Sequence, residues 1–105
     1  MCKGGYLLKK NSQGKWQRRY LVAGLNGHRR APFIYYSHSA KDATRPICQP
    51  IYYDGDPQYS SGSFHVEGVG ASVFQIRAPV RTYQFAAESE AEMAAWVYSL
   101  RCFLL

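Results

Sequence analysis

Acidic residues are scarce in the first half of this chain. Residues 1–50 hold one acid, Asp42, against ten Lys or Arg, a net of +9, whereas residues 51–105 hold six acids against Arg77, Arg81 and Arg101, a net of −3. Cysteine is equally sparse. Cys2, Cys48 and Cys102 form no Cys-x-x-Cys pair and have no histidine at ligand spacing, which argues against zinc and a disulfide framework and points to a reducing compartment. No apolar run approaches the roughly 20 residues of a spanning helix, and no signal peptide is present, so any membrane contact is expected to be peripheral. His28, His38 and His65 lack the mutual spacing of a metal cage or a catalytic pair. Neither a nucleophile with a base nor a paired carboxylate site can be assembled, so no enzyme, metal or cofactor is expected. A glycine-rich phosphate loop before a helix is missing too, because the glycines mark turns and strand breaks.

What is present is a run of short strands and one helix. At 105 residues the chain is expected to be a single domain, 1–105, able to bury a modest core. Period-two alternation puts Tyr6 and Leu8 on one face of a first strand and Leu7 and Lys9 on the other. Asn11-Ser12-Gln13-Gly14 reads as a turn. A second strand is expected over about Lys15 to Val22, with Trp16, Arg18 and Tyr20 opposite Gln17, Arg19 and Leu21. Phe33 to Ser37 reads as a third strand, and a fourth is expected near Arg45 to Gln49, ended by Pro50, which cannot donate to a ladder. Tyr52 to Pro57 and Ser60 to Gly62 read as loops, with a strand over Ser63 to Glu67.

Ser89 followed by Glu92 is a capping-box pattern, and Glu90 and Glu92 suit the positive end of a helix dipole. Met93, Trp96, Val97, Leu100 and Leu104 then recur at spacings of three and four, giving one apolar stripe with Trp96 in the core. The helix's polar face lacks lysine and carries acids, so it reads as a plug over a barrel rather than a membrane-surface helix.

The chemistry concentrates on the first hairpin. Lys9 and Arg19 flank its loop, so a lysine point charge and an arginine fork can converge on phosphate. Trp16 and Tyr20 are expected to bury apolar surface, and Arg18 to pack its stem on the barrel exterior or to pair with a carboxylate. The first loop has no Phe, Leu or Ile to insert into hydrocarbon, which leaves membrane docking to electrostatics.

Several separated motifs occur in one order. They are Gly5-x-Leu7-x-Lys9, Trp16-x-x-Arg19, Tyr35-Tyr36, Phe74-Gln75-Ile76, Tyr83-Gln84-Phe85-Ala86-Ala87 and the Glu88 to Trp96 helix start. In that order, from Gly5 to about Phe103, the chain resembles a pleckstrin homology domain. The resemblance implies a mainly β fold, a seven-stranded, partly open antiparallel barrel of two orthogonal sheets capped by one C-terminal α-helix. It also implies a phosphoinositide-binding, membrane-recruiting adaptor module at the cytosolic face of membranes, with 3-phosphorylated inositides as candidate ligands.

Of that family's basic pattern on the first two strands, Lys9 and Arg19 match, while the middle basic position is Gln17. The change removes one charge, worth about 1 kcal/mol for a surface-bound lipid. Lys15, Lys10 and Arg45 are placed to compensate. Tyr36 matches a tyrosine that contacts the headgroup in several 3-phosphoinositide binders, and Arg45 resembles a basic residue some of them use. The expected ligand set is thus Lys9, Lys15, Gln17, Arg19, Tyr36 and Arg45.

Acidic membrane lipid is the expected partner of a monomeric domain. The alternative is a protein-interaction module on the same fold, contacting a small GTPase, a β-propeller subunit or a peptide, with weak nonspecific lipid binding. Nucleic acid is not expected, since no RNA-binding aromatic motif is visible. A domain of this size seldom acts alone, so the chain is expected to be part of a larger multidomain protein.

Overall fold

The computed structural model describes residues 2–27, 31–43, 49–53, 61–79 and 81–104. Seven strands are formed: β1 (Cys2–Lys10), β2 (Trp16–Asn26), β3 (Ala31–Ser37), β4 (Gln49–Tyr53), β5 (His65–Gly68), β6 (Val73–Arg77) and β7 (Thr82–Ala86). The helix α1 (Glu90–Leu104) closes the chain. All pairings are antiparallel, in the order β4-β3-β2-β1-β7-β6-β5, so the expected two sheets are continuous through the β1–β7 pair. That seam is short. β1 pairs along its whole length with β2, from Cys2 opposite Gly24 to Lys10 opposite Trp16, but meets β7 only at Leu8–Ala86 and Lys9–Phe85. The sheet therefore curls around a core without closing.

The alternation of the first strand is as its sequence indicates. Leu7 and Lys9 point inward and are buried, while Tyr6 and Leu8 are exposed. Leu21, Ile34, Phe74, Ile76, Phe85 and Leu100 form the centre of the core, each essentially without solvent contact. Trp96, 4% exposed, stacks on Phe74 with ring centres 6.5 Å apart, and Val97, Phe103 and Leu104 extend the same helix stripe. The Glu92 amide donates to Ser89 Oγ at 3.1 Å, which caps the helix. Glu92 in turn accepts from the Glu88 amide at 3.4 Å, one residue before the position a standard capping box uses.

Several expectations are corrected. β2 runs to Asn26 rather than to about Val22, and β5 begins at His65, after a 3-10 turn over Ser61–Ser63, rather than at Ser63. The fourth strand runs through Pro50 rather than ending before it, and Tyr52 and Tyr53 belong to it, with Ile51 and Tyr52 buried. β4 is an edge strand, and Pro50 sits opposite Tyr35 beside a register shift between Ile34 and Tyr35, where a missing N–H is tolerated. Trp16 does not join the core. It is 40% exposed on the outer face, and the Lys10 ammonium lies 5.9 Å from its ring. Tyr20, half-buried on the same face, meets Tyr6 edge-on at 5.0 Å.

At the other end of the sheet, Glu67 on β5 accepts from Gln75 Nε2 at 3.0 Å and Arg77 Nε at 2.8 Å. Those two bonds hold its carboxyl below the usual range, and Arg101 Nε donates to the Val66 carbonyl at 2.8 Å, tying α1 to β5.

Candidate functional site

Strand register assembles the site. Lys9 lies opposite Gln17 on β2 and Phe85 on β7, and Leu7 opposite Arg19. Residues that face one another across a ladder project to the same side, so Lys9, Gln17 and Arg19 share the inner face. Leu21 pairs with Tyr36 on β3 and brings that ring to the same face. Tyr83 stands two residues before Phe85 and Arg81 two before that, so the β7 end contributes a tyrosine and an arginine. Below this level the inner face is apolar core. Above it, at the open end, it is cationic.

The centre of the group is Lys9. It is only 7% exposed, and its ammonium lies 4.9 Å from the centre of the Tyr36 ring and 5.9 Å from that of Tyr83. Aromatic faces are a partial substitute for water around a cation. They do not fully replace it, and burial holds the Lys9 pKa below its ordinary value, with the charges of Arg81 and then Arg19 adding to the depression. Among the described residues, no carboxylate is in the group that acts on it.

Arg19 is held in place locally. Its Nη1 donates to the Arg18 carbonyl at 2.7 Å and its Nη2 to Gln17 Oε1 at 3.1 Å, leaving the rest of a five-donor fork for a ligand. The Arg81 guanidinium lies 4.7 Å from the Tyr83 ring centre, so one ring carries both Arg81 and Lys9. Arg18 faces the other way, 3.8 Å from the centre of the Tyr6 ring, on the barrel exterior where its alternation puts it.

The turn between β1 and β2 is built by Asn11. Its Oδ1 accepts from the amides of Gln13 and Lys15, both at 2.9 Å, and Gly14 adopts φ +80°. Lys15 ends this turn with an exposed side chain.

Of the six expected ligands, the fold brings together Lys9, Gln17, Arg19 and Tyr36. Lys15 stands apart on the rim, and Arg45 lies outside the described residues. Arg81 and Tyr83 were not among the six. Tyr83 was visible in the sequence only as part of a strand motif, and Arg81 only as one charge in an acidic half. A cleft of about 810 Å³ lies elsewhere, between β5 and the end of α1, lined by Phe64, His65, Val66, Arg101 and Leu104 among others.

An open antiparallel barrel with a C-terminal helix plug and a cationic mouth defines a small β-barrel module of the pleckstrin homology type. The chain belongs to the PH domain family, whose family model matches residues 2–103. Similar solved structures include the human PH domains of oxysterol binding protein-related protein 11 (19% identity, TM-score 0.69, covering 99% of this chain and 80% of that one) and TBC1 domain family member 2 (22%, 0.68, 97% and 79%). The C-terminal PH domain of human pleckstrin is similar too (18%, 0.64, 97% and 78%). At these identities the likeness is one of fold. No curated protein matches the chain. PH domains often bind phosphoinositides or proteins and are generally non-catalytic. Among the described residues, no helix is long and apolar enough to cross a membrane.

Proposed function

We infer that this domain binds the phosphorylated headgroup of a phosphoinositide at the open end of the barrel and so recruits the protein that carries it to the cytosolic face of a membrane. The observation that supports this most directly is the convergence of Lys9 and Arg19 on one face beside Tyr36, with no carboxylate of the described residues among the groups acting on Lys9. Clustered cations without a counter-charge are costly within a protein, and a ligand carrying several phosphates relieves that cost. Tyr36 makes 3-phosphorylated inositides the first candidates. The excess of positive charge in residues 1–50 adds nonspecific attraction to anionic lipid, which salt screens over about 8 Å. The domain acts as a monomeric, non-catalytic targeting unit of a larger protein.

The test is sedimentation with liposomes containing each phosphoinositide in turn, against charge-matched phosphatidylserine liposomes at physiological salt, for the wild type and Arg19→Glu. Binding to particular phosphoinositides, lost in a folded Arg19→Glu variant, is the expected result. Equal binding to every acidic liposome reduces the basic face to an electrostatic patch, and no binding leaves the protein-interaction reading in first place.

A further inference from the structure

Gln17 poses a problem that the geometry of the site answers. β2 carries a neutral amide where a third cation would complete the group, yet among the described residues the inner face of the open end still has three cations: Lys9 from β1, Arg19 from β2 and Arg81 from the turn between β6 and β7. We propose that Arg81 is the third phosphate-binding cation of this site, taking the part that Gln17 cannot, and that Gln17 is a positioning residue that aims the Arg19 fork.

Four observations support it. The Ala78 amide donates to the Arg81 carbonyl at 2.9 Å, so the backbone that carries Arg81 is pinned rather than free to swing. The Arg81 guanidinium lies 4.7 Å from the same Tyr83 ring that Lys9 approaches to 5.9 Å, which puts the two cations at one location. Of the two arginines that depress the Lys9 pKa, Arg81 has the larger effect. Gln17 Oε1 accepts from Arg19 Nη2 at 3.1 Å, a bond that a lysine or arginine at position 17 could not provide, because neither has an acceptor.

Cations delivered from β1, β2 and the turn before β7 approach the opening from different directions. A single phosphate uses one such fork, whereas a ring bearing at least two phosphates engages Arg19 and Arg81 together, with Lys9 between them. The ligand chemistry is therefore a polyphosphorylated ring, either a lipid headgroup or a soluble inositol polyphosphate. This inference rests on the reading of the site given under Proposed function.

The experiment measures two probes against the same variants. One is a soluble inositol tetrakisphosphate titrated calorimetrically, and the other is phosphatidylcholine vesicles containing phosphatidylinositol trisphosphate. Arg81→Gln is compared with Lys3→Gln, which removes one charge about 20 Å away along β1. Arg81→Gln is expected to weaken binding of the soluble probe about tenfold at an unchanged Tm, more than the fivefold or so of one nonspecific surface charge, while Lys3→Gln leaves it unchanged. The vesicles report whether the same loss carries over to the lipid source.

Gln17→Ala is expected to weaken binding in the wild type and to have no effect in an Arg19→Gln background, a coupling that a purely structural role would not produce. Should Arg81→Gln lower the Tm, Arg81→Lys keeps the charge without the fork and is the variant to read. Retained affinity in Arg81→Gln beside loss in Arg19→Glu overturns this proposal and leaves the phosphoinositide reading standing. Failure of the wild type to bind either probe overturns both.

Discussion

The Lys9 ammonium lies 4.9 Å from the centre of the Tyr36 ring, on a side chain that is 7% exposed and faces the core rather than solvent. The arrangement departs from the usual placement of lysine, which is almost never buried unless paired. Two tyrosine faces offset part of the lost hydration. Burial and two neighbouring guanidiniums nevertheless work against the charged form.

Lys9→Met is therefore expected to raise stability while abolishing phosphoinositide binding. Methionine keeps an unbranched apolar stem and removes the buried charge, a gain of about 1 kcal/mol or roughly 5 °C in Tm. The pH dependence follows from the depressed pKa. A lysine whose folded pKa lies below the ordinary 10.5 binds fewer protons folded than unfolded, so wild-type stability should gain on the variant between that lowered pKa and 10.5. Thermal unfolding in an alkaline series measures this, and a lower Tm for Lys9→Met at neutral pH would contradict it.

Tyr36→Phe separates ring from hydroxyl. The ring that supports Lys9 remains, whereas loss of a hydrogen bond to the headgroup would weaken phosphoinositide binding about fivefold. Unchanged affinity would confine Tyr36 to packing.

Gly5 is where α1 meets the first strand. A Cβ built there would lie 3.3 Å from Trp96 Cζ2, closer than the buried indole can easily accommodate. Gly5→Val is expected to cost about 2 kcal/mol, read as a lower urea midpoint, with Gly5→Ala intermediate. A midpoint equal to the wild type would show that Trp96 can shift freely.

Ser89→Ala removes the oxygen that accepts from the Glu92 amide. The helix plug should lose about 1 kcal/mol in chemical denaturation, and Ser89→Asp should restore it. Equal stability of all three forms would mean that water caps this helix as well as serine does.

The helix was readable because its signals are local. Ser89, Glu92 and the stripe from Met93 to Leu104 act within a few residues of one another, and the same holds for the alternation of β1 and the Asn11 to Gly14 turn. The fourth strand was harder to place, because a strand accommodates Pro50 at an edge or beside a bulge, and both are properties of the completed sheet. Trp16 is a related case: alternation assigns it a side but not what covers that side.

For the site, the sequence by itself determined that Leu7 and Lys9 share one face of β1, that Gln17, Arg19 and Leu21 share one face of β2, that the β1–β2 turn is short, and that positive charge collects in the first half of the chain. These follow from strand period and composition, which act along the chain. Only the tertiary structure decided that Lys9 is buried, that Tyr36 and Tyr83 flank it, and that Arg81 from the acidic half joins Arg19 from the basic half. The reason is register: the Lys9–Phe85 pairing brings together segments 76 residues apart in sequence, and no local preference along either strand specifies that meeting.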